Sequence, residues 1–126
     1  MSVRLLSLLN AAGNAIQAGA SLPDGQRLNM ERIVDYQKGM ARMNLHVRGV
    51  NGSENRGHIQ LQQFTFADGR TCIKACLGWG PSDRRSTLEI FGSADTNWDA
   101  EANRVAEAWL DGIPVDEGNA SMAAAG

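Results

Sequence analysis

Residues 55–80, NRGHIQLQQFTFADGRTCIKACLGWG, hold both cysteines of the chain and one of its two histidines. Thiolates and imidazoles are common zinc ligands, and thiolates also carry redox chemistry. However, Cys72 and Cys76 lie in a segment whose alternation predicts a strand, where four residues span about 13 Å. That spacing exceeds the reach of a disulfide and does not suit one shared metal ion. We therefore expect two ordinary thiols, no metal site and no cofactor.

Acid–base catalysis would have to use the two histidines, His46 and His58. They could meet on neighbouring strands and exchange protons near neutral pH. The chain has no glycine-rich phosphate loop, no nucleophile elbow and no HExxH zinc motif. Histidines of this kind are more often polar surface residues. We therefore expect a protein that is not an enzyme, and a small enzyme using these histidines is the weakest alternative.

The middle of the chain alternates between apolar and polar residues, as half-buried strands do. The alternation runs through 44–48, 58–62 and 70–79, and the Asp-Gly pair at 68–69 predicts a hairpin. A phase change at Gln62-Gln63 indicates a bulge. Residues 32–43 suit a short helix or, preferably, a strand that turns at Lys38-Gly39, and STLEIFG (86–92) adds a further strand. The sequence predicts an α+β fold in one domain, 1–126, with an antiparallel meander of about five strands over 27–92.

The clearest helix covers residues 96–112. Trp98, Ala102, Val105 and Trp109 follow the spacing i, i+4, i+7 and i+11, which makes one apolar stripe. A glycine and a proline, at 112 and 114, end the helix. Residues 113–126 are expected to form a short second helix or a loose tail.

The first twenty residues are ambiguous. Leu5, Leu9, Ala12 and Ile16 suit a helix, while a hairpin turning near Gly13 fits equally well. Polar residues interrupt the apolar stretch, so we expect no cleaved leader. No apolar run approaches the ~18 residues that span a bilayer, so we expect no membrane partner.

The net charge of −2 conceals an asymmetry. Residues 26–87 carry ten positive and five negative groups, whereas residues 88–126 carry eight acids against Arg104. A composition with 43% apolar and 21% charged residues excludes disorder throughout. The charge division predicts two differently charged surfaces.

If the strands pair in sequence, one side of the sheet is polar and basic and the other is apolar. The apolar side is the natural seat of the helix. Basic, amide and imidazole side chains on a sheet suit phosphate contacts and single-stranded or hairpin RNA. The predicted RNA-binding residues are Asn44, His46, Arg48, Arg56, His58, Gln60, Gln62 and Lys74.

Two segments carry a resemblance to a known family. NLHVRGVNGSENRGHIQLQ reads as strand, loop and strand, and residues 86–126 read as a last strand, an acid-capped helix ending in Leu-Asp-Gly, a proline and a small-residue tail. This order resembles the coat proteins of single-stranded RNA bacteriophages. The resemblance covers the chain from about residue 40 onward.

The resemblance implies a β-hairpin over residues 1–22 and a homodimer in which each helix packs over the partner's strands. Trp98, Ala102, Val105 and Trp109 would then be dimer-interface residues, largely exposed in a lone chain. Dimers would assemble in the host bacterial cytoplasm into an icosahedral virion shell around genomic RNA. Coat dimers of this family can also bind an operator hairpin and repress translation. The alternative is a small noncatalytic α+β binding module, such as a chaperone or an inhibitor, which should hide its tryptophans within its own chain.

Overall fold

The computed structural model describes residues 5–20, 22, 25–50, 52–80, 84–92 and 96–112. Its elements are α1 (Leu5–Gly19), β1 (Arg27–Asp35), β2 (Met40–Gly49), β3 (Gly52–Thr65), β4 (Thr71–Trp79), β5 (Arg85–Gly92) and α2 (Trp98–Gly112). The predicted α+β class, the five-stranded sheet and the helix near 96–112 are confirmed. The helix or tail predicted for residues 113–126 lies outside the described residues.

The five strands form one antiparallel sheet in the order β1-β2-β3-β4-β5, so each strand pairs with its sequence neighbour. The β1–β2 turn ends at Gly39 and the β3–β4 turn contains Gly69. Both glycines have positive φ, 60° and 89°, which glycine adopts without a steric penalty. The predicted strand with a turn at Lys38-Gly39 and the predicted hairpin at 68–69 are therefore confirmed.

Alternate residues of each strand point to the same side of the sheet. The side that packs against the helices is called the inner face, and most of its apolar residues are almost completely buried. Removing such side chains from water contributes roughly 1.5–3 kcal/mol each. The inner face includes Met43, Leu45, Ile59, Leu61, Ile73 and Ile90.

The N-terminal segment is a helix and not the hairpin that the resemblance implied for residues 1–22. Leu5, Leu9, Ala12 and Ile16 all lie on its buried side. Their spacing of three and four residues is the helical period, and α1 has no charged residue. α1 packs mainly against α2 and also contacts β1, β2 and β3. The tertiary contact with α2 therefore decides between two patterns that the local sequence left open.

α2 begins with a side-chain cap. The Asn97 Oδ1 accepts a hydrogen bond of 3.1 Å from the Ala100 backbone N–H, which satisfies one of the free donors of the first turn. Asp99 and Glu101 add negative charge near the positive end of the helix dipole. The helix packs against α1 and against β4.

Two tryptophans connect α2 to the end of β4. The Trp79 Nε1–H donates to the Trp109 carbonyl at 2.8 Å, and the Trp109 Nε1–H donates to the Gly78 carbonyl at 2.9 Å. A Cβ at Gly112 would lie 2.1 Å from the Trp79 ring, so only glycine fits where α2 ends. Both indoles therefore have their polar atom satisfied inside the core.

The expected dimer-interface residues lie within a single chain's own core. Ala102, Val105 and Trp109 are at most 1% exposed without any partner, and Trp98 is half-buried against Gly92. The expectation that this stripe is largely exposed in a lone chain is therefore not met. The reason is that α1, a helix in place of a hairpin, covers α2 from the same chain.

Candidate functional site

The side of the sheet opposite the helices is called the outer face, and no element within the described ranges covers it. Its charged and amide side chains are half-buried by one another or exposed. The register places these residues on it: Arg27, Asn29, Glu31, Ile33 and Asp35 of β1; Met40, Arg42, Asn44, His46 and Arg48 of β2; Asn55, His58, Gln60, Gln62 and Phe64 of β3; Cys72, Lys74, Cys76 and Gly78 of β4; Arg85, Thr87, Glu89 and Phe91 of β5.

Seven of the eight predicted RNA-binding residues meet on the outer face. They occupy three adjacent strands because the meander pairs β2, β3 and β4 in sequence. Their role in binding RNA stays a prediction. The seven are Asn44, His46, Arg48, His58, Gln60, Gln62 and Lys74.

The eighth, Arg56, is the extra residue of a β-bulge. The β2–β3 register runs from Leu45 opposite Gly57 to His46 opposite Asn55, so Arg56 has no partner strand residue. Its guanidinium lies 3.6 Å from the Glu54 carboxylate. Gly57 has a φ of 130°, and a Cβ there would lie 2.0 Å from the Gly78 carbonyl oxygen.

The predicted position of the bulge, Gln62-Gln63, is wrong. Gln62 pairs with Lys74 and Gln63 with Ile73 without a shift. The apparent phase change arises because Phe64 lies on the outer face, where it is 46% exposed. An exposed aromatic residue breaks the alternation of hydrophobicity although the strand itself remains regular.

Arg42 links the centre of the outer face and was missed by the sequence analysis. Its Nε–H donates to the Asn44 Oδ1 at 2.9 Å, and its NH1 donates to the Gln60 Oε1 at 3.3 Å. One guanidinium therefore orients an amide on its own strand and one on β3. The sequence did carry a signal for Arg42, because alternate residues of a strand share a face and position 42 continues the series 44, 46 and 48.

His58 occupies a tight position beside this network. Its cross-strand partners are Asn44 and Gly78, and a Cβ at Gly78 would lie only 2.3 Å from the His58 Cε1. Burial lowers the pKa of His58 below its ordinary value of 6.5, and the charges of Arg42 and Arg85 lower it further. A neutral imidazole is thereby favoured, with one nitrogen to donate and one to accept a hydrogen bond.

His46 lies in a different part of the face from His58. It pairs with Asn29 on one side and Asn55 on the other, so its direct neighbours are amides. Among the described residues there is no group of three histidine, cysteine or carboxylate side chains that could hold a metal ion.

The two cysteines lie on the outer face, both on β4. Both are free thiols. Cys72 is buried between Phe64 on β3 and Phe91 on β5, its cross-strand partners. Burial raises the pKa of the Cys72 thiol, and the nearby Glu89 charge raises it further. A thiol with a raised pKa is a weak nucleophile near neutral pH.

Phe64 and Phe91 form an exposed apolar end of the outer face. Phe91 is 67% exposed, and Phe66 beyond the strand end carries the Arg70 guanidinium 5.5 Å from its ring centre. The sequence analysis did not assign these rings to the site. For Phe64 the available signal was its even spacing from Gln60 and Gln62 on the same strand, whereas Phe91 is placed by the β4–β5 register.

Comparison of the chain with protein-family models, with curated proteins and with solved structures finds no match. None of the described helices has the length and apolar character needed to cross a membrane.

Proposed function

We propose that the protein is a self-assembling coat subunit whose outer face contacts single-stranded RNA. The observation that carries the proposal is an uncovered, amide-rich and basic sheet face opposite a face covered by helices. Side chains of this kind supply phosphate contacts and read exposed bases by hydrogen bonds. The order of elements from β2 to α2 agrees with the family resemblance drawn from the sequence.

Charge supports this orientation. The outer face carries five basic side chains, and three carboxylates oppose them. α2 has the opposite balance, with four acids against Arg104. A shell that directs the sheet inward would bring the basic layer to the RNA phosphates and keep the acidic helix away from them. The five basic residues are Arg27, Arg42, Arg48, Lys74 and Arg85.

Assembly would use the two edge strands of the sheet, β1 and β5. An edge strand presents unpaired backbone groups that can pair with a second copy. At β5 the Arg104 guanidinium already donates to the Glu89 carbonyl at 2.9 Å, so a docking strand would have to displace this contact. A homodimer and an icosahedral shell in the virion are the assemblies proposed here, formed in the host bacterial cytoplasm.

The first experiment is expression of the chain alone, followed by size separation, electron microscopy and the ratio of absorbance at nucleic-acid and protein wavelengths. Uniform spherical particles containing RNA are expected. An RNA-free monomer across a range of salt and pH would reject the coat function.

The second experiment tests the RNA face with matched variants. Arg42→Gln should reduce RNA content, because it removes a charge and releases the amides of Asn44 and Gln60. Arg32→Gln is the control, since Arg32 is on the same sheet but pairs with the inner-face residue Met43. Equal RNA content in both variants would reject the outer face as the surface that contacts RNA. Binding of an operator hairpin can be tested by comparing the same two variants.

A second candidate is favoured by one observation. Trp109 is 1% exposed within its own chain, as expected of a small noncatalytic α+β binding module that folds as a monomer. Under this alternative, a chaperone or inhibitor, the outer face would bind a protein partner. A stable monomer without RNA in the first experiment would support it.

A further inference from the structure

Two arginines face each other at one corner of the outer face. Arg27, at the start of β1, is directly opposite Arg48 of β2. Directly opposed residues of an antiparallel pair have Cβ atoms about 4.5–5.5 Å apart, and like charges there destabilise the sheet. The two opposed guanidinium charges therefore destabilise the sheet unless a negatively charged group neutralises them.

Three of the other described arginines have acidic partners. Arg56 pairs with Glu54, Arg70 with Asp68 at 2.6 Å, and Arg104 with Glu101 at 3.1 Å. Arg27 and Arg48 make no ion pair and no hydrogen bond with the part of the chain that the structure describes. The next carboxylate along the outer side of β1, Glu31, is four residues from Arg27, about 13 Å along the strand.

The pair lines an open cleft of about 350 Å³. The cleft contains the amide of Asn29 and backbone of two glycines, one of which has positive φ, so backbone groups can approach a ligand without hindrance from a side chain. The lining residues are Gly25, Arg27, Asn29, Arg48, Gly49 and Val50.

We propose that this corner, the Arg27–Arg48 cleft, is a binding site for a phosphate group. Guanidinium groups bind phosphate oxygens in bidentate fashion, and two of them would together neutralise a phosphate dianion. Asn29 adds an amide donor. The phosphate is either free or part of an RNA backbone. The site does not depend on the coat function, since an anion relieves the Arg27–Arg48 repulsion in either case.

The test is calorimetric titration of the purified full-length chain with inorganic phosphate and, separately, with a short oligouridylate. Arg27→Gln and Arg48→Gln should each weaken binding of at least one probe by about tenfold, the loss expected from one charge-assisted contact. Arg32→Gln, an equal charge change on the same strand but the other face, should leave binding unchanged. A loss with phosphate itself assigns a free-phosphate site, and a loss confined to the oligonucleotide assigns a phosphodiester site.

A second readout separates binding from a merely structural role. In phosphate-free buffer Arg27→Gln and Arg48→Gln should raise the melting temperature, because each removes the repulsion. Both should also lose the increase that the probe which binds, phosphate or the oligouridylate, gives the native chain. The proposal is overturned if neither probe binds, or if phosphate raises the melting temperature of all variants equally. These outcomes are distinct from those of the particle experiment, which reports assembly and not anion binding.

Discussion

The two faces of the sheet differ sharply although the same strands supply both. On the inner face Leu45, Ile59 and Leu61 have no exposure, and their partners are other apolar side chains. On the outer face Asn44, His58 and Gln60 are their direct neighbours in sequence but are only half-buried, and Asn44 and Gln60 accept hydrogen bonds from Arg42. The inner face therefore supplies stability and the outer face is available for binding. Matched substitutions one residue apart can test this division.

The largest effect should come from Leu61→Ala compared with Gln60→Ala. Leu61 is completely buried, so the truncation should cost about 2–5 kcal/mol of unfolding free energy. Its neighbour Gln60 is half-buried, and we expect its truncation to cost less than about 1 kcal/mol. Urea unfolding followed by circular dichroism measures both. Similar losses in the two variants would show that the outer face is covered in solution.

The next effect concerns the helix that covers the inner face. Trp109→Phe replaces the indole with a smaller phenyl ring, which removes the donor to the buried Gly78 carbonyl and leaves a small cavity, so it should cost about 2–4 kcal/mol. Trp98→Phe is the control, because Trp98 is only half-buried. The measurement should be made over a range of protein concentrations. A loss that depends strongly on concentration would place Trp109 in a dimer interface instead.

A smaller effect concerns pH and the outer face. The pKa of His58 is lowered in the folded chain, chiefly by burial and then by Arg42 and Arg85. Below its ordinary value of 6.5 the unfolded state therefore binds more protons than the native state. The contribution of His58 to stability is complete above that pH and is lost as the pH falls toward the lowered folded pKa.

Two variants check this pH dependence. His58→Gln should give a flatter pH profile of unfolding free energy between pH 7 and the lowered pKa. Arg42→Gln should raise the His58 pKa, which a proton NMR titration of the imidazole measures. An unchanged His58 pKa in Arg42→Gln would exclude the guanidinium as a cause.

The smallest effect concerns the strand edge, which belongs to neither face. Arg104→Ala removes the cap on the Glu89 carbonyl and the ion pair between the exposed Arg104 and the half-buried Glu101, so the stability change should be about 1 kcal/mol. Association should increase, because the β5 edge becomes free to pair. Sedimentation velocity measures the association. Glu107→Ala, also exposed on α2, serves as the control, and equal association of both variants would exclude an edge effect.

The sheet was predictable because its signals are local. Alternation with a period of two and glycine turns predicted four of the five strands and their sequential pairing. The apolar stripe predicted α2. The N-terminal segment was not predictable in this way, because its apolar residues fit two periods. Its partner, α2, is about ninety residues away, and only the fold brings the two together.

The candidate site could be predicted because alternate residues of a strand lie on the same face. The prediction was incomplete because the series of alternate residues on β2 was not extended to position 42. Asn44, His46 and Arg48 were assigned correctly to one face, whereas Arg42 was omitted although it continues the same series. Arg27 could not be assigned from the sequence alone, because the β1–β2 register decides that it is opposite Arg48. Burial of Trp109 within one chain was also beyond reach, since it depends on α1 being a helix.

The pairing of α1 with α2 has a consequence for biosynthesis. The sheet can form strand by strand as the chain leaves the ribosome, because each strand pairs with the one made just before it. The helical layer cannot, since α1 emerges first and α2 is made only after β5. Until translation reaches residue 112, α2 cannot cover the apolar side of α1 or the inner-face residues of β4. The nascent protein is therefore most prone to aggregation late in its synthesis, and a chain truncated before residue 98 should be less soluble than the full chain.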